Sequence, residues 1–264
     1  MSLTSFRIAD LFDVSGKVAI VTGGSSGIGE MIALGFVQNG MKVYITARKA
    51  ERANAVAKAL SAHGHCEAIP GDMNKAEDRQ RLIDAVGAAE GRLDVLVNNA
   101  GAAWGAPFDS YPEAGYDKVM DTNVKAPFFL TQAALPLLEK AGTAASPARV
   151  INVGSIDGVQ VPMAEQQNFA YGPSKAAIHH LTRVLAIRLA GRHVTVNAIA
   201  PGPFPSKMME STLNEHQASI EQNCPLGRIG RTEDMAGLAV YLASPAATYL
   251  TGNVITVDGG IHLA

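Results

Sequence analysis

The chain has 264 residues, 47% of them hydrophobic and 17% charged, with a formal net charge of −2. That balance suits a single α/β domain with a well-buried core and excludes the clustered positive charge that nucleic acid or an anionic membrane surface requires. No apolar run approaches the roughly 18 residues of a membrane span, and the start MSLTSFRIADLF lacks the basic n-region of a signal peptide, so a cytoplasmic protein is expected.

After an N-terminal extension over 1–13, an apolar strand over 17–22 runs into Thr22-Gly23-Gly24-Ser25-Ser26-Gly27-Ile28-Gly29 and then into the helical pattern EMIALGFVQNG. Strand, glycine turn and helix together leave backbone N–H groups at a helix N-terminus, where they can bind a pyrophosphate. The spacing of Gly23, Gly27 and Gly29 is G-x-x-x-G-x-G, not the better-known G-x-G-x-x-G. The second strand, 42–46, closes on Ala47-Arg48-Lys49. A carboxylate about 20 residues past a glycine loop takes the adenosine ribose 2′-OH. Here Arg48 offers a planar fork to a 2′-phosphate instead, which predicts NADP(H).

Further apolar strands are expected at 65–70, 93–97, 149–154, 193–200 and 254–257, separated by helical patterns. Alternation of this kind predicts a Rossmann arrangement: one doubly wound parallel sheet of seven strands with helices on both faces, in one domain over 1–264. The stretch AGTAASPA at 141–148 reads as a loop rather than a linker. Cys66 and Cys224 form no C-x-x-C, so neither a disulfide framework nor a zinc site is implied.

Within AYGPSKAAIHHL, Tyr171 and Lys175 stand four residues apart on one helix face. A tyrosine with an unperturbed pKa of about 10 is a poor acid-base catalyst at neutral pH. A neighbouring ammonium favours its ionised form, so the spacing predicts a lowered Tyr171 pKa. Taken alone, such a pair reads as a half-buried tyrosine beside a solvated lysine.

The rest of the chain places that pair in a series. Asp72 follows the third strand, Asn98-Asn99-Ala100-Gly101 the fourth, Asn123 lies in DTNVKAPF, Ser155 closes the fifth strand, and Pro201-Gly202 closes the sixth. In that order, over residues 14–262, these motifs resemble the short-chain dehydrogenase/reductase family. Within it the chain is most similar to NADPH-dependent β-ketoacyl reductases of the type associated with rhamnolipid synthesis, through ARVINVGS, YGPSKAAIHHL, NAIAPGPFPSKM and YLTGNVITVDGG.

The resemblance implies a catalytic tetrad and a set of cofactor contacts. Tyr171 would donate a proton to the reduced carbonyl oxygen, Ser155 would hydrogen-bond that oxygen, Lys175 would lower the Tyr171 pKa and hold the nicotinamide ribose, and Asn123 would keep a proton-relaying water in place. Gly23, Gly24, Ser25, Ser26, Gly27, Ile28 and Gly29 would hold the pyrophosphate, and Arg48 the 2′-phosphate. Asp72 and Met73 would border the adenine, Asn99 and Gly101 the ribose, and Pro201, Gly202, Phe204 and Ser206 the carboxamide end. Two positions depart from the family pattern: Ser26 stands where many NADP-dependent relatives carry a basic residue, and Pro205 stiffens the segment before Ser206.

The same resemblance places a substrate lid over 204–224, with Met208 and Met209 as adaptable apolar contacts. Trp104, Met163 and Phe169 are read either as an acyl channel or as packing. A small-molecule or acyl-thioester substrate is implied. Docking of an acyl carrier protein would use two basic positions, of which Arg192 matches the second while Ser146 falls at the first. CoA thioesters and free ketones therefore stay open. His179 and His180 read as packing or surface residues, no metal is expected, and the tail TGNVITVDGGIHLA implies a homotetramer by analogy. Two other functions remain: oxidation or reduction of another secondary alcohol or ketone, and a cofactor-binding sensor without turnover.

Overall fold

The computed structural model describes residues 6–161 and 167–264. Its elements in chain order are α1 (Ile8–Leu11), β1 (Val18–Thr22), α2 (Gly27–Gln38), β2 (Lys42–Thr46), α3 (Ala50–Leu60), β3 (Cys66–Ala68), α4 (Ala76–Glu90) and β4 (Val95–Asn98). Then follow α5 (Glu113–Met120), α6 (Ala126–Ala141), β5 (Ala148–Val153), α7 (Tyr171–Leu189), β6 (Val194–Pro201), α8 (Glu210–Asn223), α9 (Thr232–Ala243) and β7 (Val254–Val257). The strands form one seven-stranded sheet in the order β3-β2-β1-β4-β5-β6-β7, and every pairing is parallel.

The reason lies in the strands. β1, β5 and β6 are buried at every position, so neither face of the sheet can meet water and both need helices. Successive side chains alternate between those faces. Ala19, Val21, Val97 and Ile151 join Ile32 and Phe36 of α2 and Met235 and Leu242 of α9 on one side. Ile20, Leu96, Val150 and Val196 join Leu82 and Val86 of α4, Leu130 and Leu138 of α6 and Leu189 of α7 on the other. Truncating one such side chain, Ile20→Ala for example, removes about 2–5 kcal/mol.

The largest polar group in the core is tied down at its guanidinium end. Arg149 is fully buried in β5, yet its guanidinium donates to Ser244 O at 3.2 Å and Thr248 Oγ1 at 3.1 Å, while Lys17 Nζ donates to Ala243 O at 2.7 Å. Two cations thus meet the C-terminal carbonyl end of α9, the end its dipole makes negative. Burial pushes the Arg149 pKa down to about 10, which leaves it charged at neutral pH.

Strand order reverses between β1 and β4, which are neighbours although β2 and β3 lie outward on one side and β5 to β7 on the other. At such a switch point the connections leave in opposite directions and open a crevice beyond the carboxyl ends of the strands. Among the described residues, no helix is long and apolar enough to cross a membrane.

Candidate active site

That crevice is a cleft of about 440 Å³ lined by the turn after β1, the ends of β2, β4 and β5, and Ser206 to Met208. The turn is shaped by its glycines. Gly23 takes φ 66°, a left-handed value that side chains resist, and a Cβ on Gly29 would collide with the Gly23 carbonyl and the Asn99 amide. Ser26 precedes α2 but its side chain caps no N–H. The first N–H groups of α2 therefore face the cleft without an internal acceptor.

Thr22 joins this turn to β4. Its hydroxyl donates to Val97 O at 3.2 Å and accepts from the N–H groups of Asn99 and Ala100, both at 2.9 Å, and Asn99 Nδ2 returns to Thr22 O at 2.8 Å. Behind it a buried polar chain crosses the sheet. Asn98 Nδ2 donates to Asn152 Oδ1 at 2.9 Å and to Thr131 Oγ1 at 3.2 Å, and Asn152 Nδ2 donates to Thr182 Oγ1 at 2.9 Å. At the far rim stand Arg48 and Lys49, with Asp72 and the buried Met73 alongside. The glycine turn, the uncapped helix end and this cationic rim fit a phosphorylated dinucleotide. The expected carboxamide contacts lie on the opposite bank. Pro201 and Gly202 end β6, the Phe204 ring is buried against Gly230, and Ser206 meets Gly27.

The four expected catalytic residues come together at the floor of the cleft. α7 begins at Tyr171 and carries Lys175 one turn on, with Lys175 Nζ 5.4 Å from the Tyr171 ring centroid. The Ser155 side chain lies beside Tyr171 and acts to lower its pKa. Asn123 sits in a π-helical turn, Asp121–Lys125, between α5 and α6. Its Oδ1 accepts from Ala102 N at 2.8 Å, and its Nδ2 donates to Ala102 O and Ser174 Oγ, both at 2.9 Å. A Cβ on Gly101 would lie 3.5 Å from Asn123 Oδ1 and 3.7 Å from Lys175 Nζ, so both side chains close around that glycine.

One expectation is reversed. Lys175 does not lower the Tyr171 pKa here; burial pushes the hydroxyl up to about 12, the Asp157 carboxylate adds to the rise, and only the Ser155 side chain opposes it. The ammonium is committed elsewhere: Lys175 Nζ donates to Val153 O at 2.9 Å and lies over the ring rather than at the hydroxyl. Burial also pushes Lys175 down to about 8.

The substrate positions divide. Met208 is exposed and lines the cleft, and Met209 is half-buried beside it. Trp104 lies against Gly115 of α5, with Lys118 Nζ 5.0 Å over its ring, and does not line the cleft. Phe169 packs edge-on with Phe108 at 5.4 Å and Tyr111 at 5.7 Å between ring centres, just before Tyr171. Met163 lies outside the described residues. Arg192 is paired with Glu139, and Ser146 sits in the preceding loop. His179 is buried and burial pushes it down to about 4, whereas His180 is exposed.

Sequence reasoning missed two residues. Arg52, in the first turn of α3, reaches back so that its Nε donates to Ser25 O at 3.0 Å and its side chain lines the cleft. The other is Asp157, two residues after Ser155; its backbone N–H donates to Ser155 Oγ at 3.1 Å.

Comparison with known proteins gives a consistent set of relatives. The family model described as Enoyl-(Acyl carrier protein) reductase matches residues 23–262. The chain is 51% identical over 254 residues to the rhamnolipids biosynthesis 3-oxoacyl-(acyl-carrier-protein) reductase of Pseudomonas aeruginosa, covering 96% of this chain and 98% of that one. It is 34% identical over 257 residues to the 7alpha-hydroxysteroid dehydrogenase of Escherichia coli, covering 96% of each. Among solved structures, the Pseudomonas aeruginosa RhlG/NADP active-site complex superposes with a TM-score of 0.91 at 50% identity, covering 96% of this chain and 98% of that one.

Proposed function

The chain belongs to the short-chain dehydrogenase/reductase family, and within it we propose an NADPH-dependent reductase that converts the keto group of a 3-oxoacyl thioester, or a related β-keto compound, to the hydroxy product. The observation that carries this reading is the grouping of Ser155, Tyr171 and Lys175, with Lys175 one turn on from Tyr171 along α7, at a glycine-lined cleft that Tyr171 lines. When bound, NADPH supplies the hydride that becomes the new C–H bond. Charge then develops on the carbonyl oxygen, where the Ser155 hydroxyl donates a hydrogen bond and Tyr171 gives up its proton to form the alcohol O–H. With its pKa near 12, Tyr171 holds that proton at neutral pH, the state reduction needs. Lys175, at about 8, titrates close to the working pH and returns a proton to Tyr171. The Asn123 side chain is committed to Ala102 and Ser174, so the group we assign to hold a relaying water is its backbone carbonyl in the π-helical turn.

Cofactor choice rests on Arg48, with Lys49 and Arg52 beside it and no carboxylate at the end of β2. The 3-oxoacyl substrate class is taken from the Pseudomonas relative. Exposed Phe108, Phe169 and Met208 near Tyr171 suit an acyl tail. A second reading, a CoA-borne or free β-keto substrate, is favoured by Arg192 already being held by Glu139. We assign a homotetramer because α5 to α7 leave Tyr116, Phe128, Phe129 and Ile187 exposed and because Tyr249 beside the β7 edge is fully so. A monomer by light scattering would refute that. A cytoplasmic setting agrees with two buried free cysteines.

The deciding experiment follows the loss of reduced-nicotinamide absorbance with acetoacetyl-CoA and with acetoacetyl carrier protein, using NADPH and NADH in parallel. NADPH-dependent turnover is expected. Its absence with every β-keto thioester, while NADPH still binds, would overturn the substrate reading.

A further inference from the structure

Asp157 has no part in the chemistry above, yet the fold fixes it at the catalytic dyad. It is the middle residue of a short 3-10 turn, Ile156–Gly158, that follows Ser155. Its N–H is held by Ser155 Oγ at 3.1 Å, and Gly158 N donates to Ser155 O at 3.0 Å. The turn lies directly on α7: a Cβ on Gly158 would come within 2.6 Å of Ala176 N. Among the described residues, the Asp157 carboxylate accepts no hydrogen bond. Its charge is felt by Tyr171 and Lys175, and among the described residues it is the one anion that bears on either of them.

Among the described residues, the neighbourhood contains little else that titrates. α7 brings Tyr171, Lys175 and His179 to the turn, with Arg183 acting on His179 from farther along the helix. His179 lies beside the Gly158 backbone and, with its pKa pushed down to about 4 by burial, is neutral at physiological pH. β6, the other element packed on the turn, carries no titratable side chain over Val194–Pro201.

We propose that Asp157 is a positioning residue whose carboxylate keeps the Tyr171–Lys175 dyad fully protonated and thereby sets the upper pH limit of carbonyl reduction. A nearby anion stabilises the protonated form of either partner. Both groups shift in the same direction, so the conclusion does not depend on which of the coupled pair releases the first proton. Reduction draws its proton from the loaded dyad, so the high-pH limb of the rate reports this first loss.

The inference rests on the carbonyl-reductase reading of the same site. It is tested by kcat/KM profiles against pH for the wild type, Asp157→Asn and Asp157→Glu, with Asp157→Ser run alongside in case the Asn variant fails to fold. NADPH fluorescence checks the fold of each. The high-pH limb should move down by about one pH unit in Asp157→Asn and Asp157→Ser, and stay near the wild-type position in Asp157→Glu. A purely structural role would lower the rate at every pH without moving the limb, and a limb that stays put or rises in active Asn and Ser variants overturns the proposal. A wild-type protein without turnover would instead overturn the reductase reading.

Discussion

The two banks of the cleft are built on different principles. On the sheet bank, Thr22, Asn99, Asn98 and Asn152 are cross-linked by hydrogen bonds of 2.8–3.2 Å at the ends of wholly buried strands. On the opposite bank α8 has no buried residue at all, and the segment is anchored mainly by Phe204 in the core. On the proposed function, chemistry that tolerates little displacement sits on the first bank, and enclosure of a variable tail is the role proposed for the second. The difference teaches that stability and catalysis should respond to substitutions on the sheet bank, and substrate choice to substitutions on the lid.

The sharpest way to break that comparison is at Tyr171. Tyr171→Phe removes the proton donor while keeping the ring, and should lower turnover by about 10²–10⁴-fold. NADPH binding, read by fluorescence titration, should persist. Thr22→Val tests the same bank for stability. Valine matches the shape but leaves the Asn99 and Ala100 N–H groups without their acceptor. A loss of about 2–4 kcal/mol is expected in urea unfolding, whereas exposed α8 positions should change it by under about 0.5 kcal/mol. Arg48→Asp should raise the NADPH KM by about 10–100-fold, the value of a charge-assisted contact, and turn the preference toward NADH. Arg52→Ala should shift the same ratio less, because its Nε is already engaged by Ser25.

What could be read from the sequence follows the same division. Strand positions, the glycine turn and the Tyr171–Lys175 spacing were legible because backbone geometry ties them to residue type at fixed intervals. The direction of the Tyr171 pKa was not, because spacing reports proximity while desolvation depends on what three-dimensional packing places around the hydroxyl. Asp157 reaches the site from a short 3-10 turn and Arg52 from the start of α3, neither of which carries a motif. Trp104 and Phe169 looked alike as apolar candidates, yet one lies on Gly115 and the other joins an aromatic cluster, a choice made by neighbours distant in sequence.

The lid gives the smallest expected effect and the most specific one. Met208 is half exposed at the cleft, and its flexible thioether suits a bound chain of variable length. Met208→Ala should leave thermal stability, NADPH binding and turnover of an acetoacetyl thioester close to wild type. With a long-chain 3-oxoacyl thioester the lost apolar contact is worth about 1 kcal/mol, roughly fivefold in KM. The measurement is a KM series over increasing chain length for both proteins. A gap that widens with length places the acyl tail on the lid bank. Equal loss at every length would move Met208 into the machinery that binds the thioester head, and with it the boundary between the two banks.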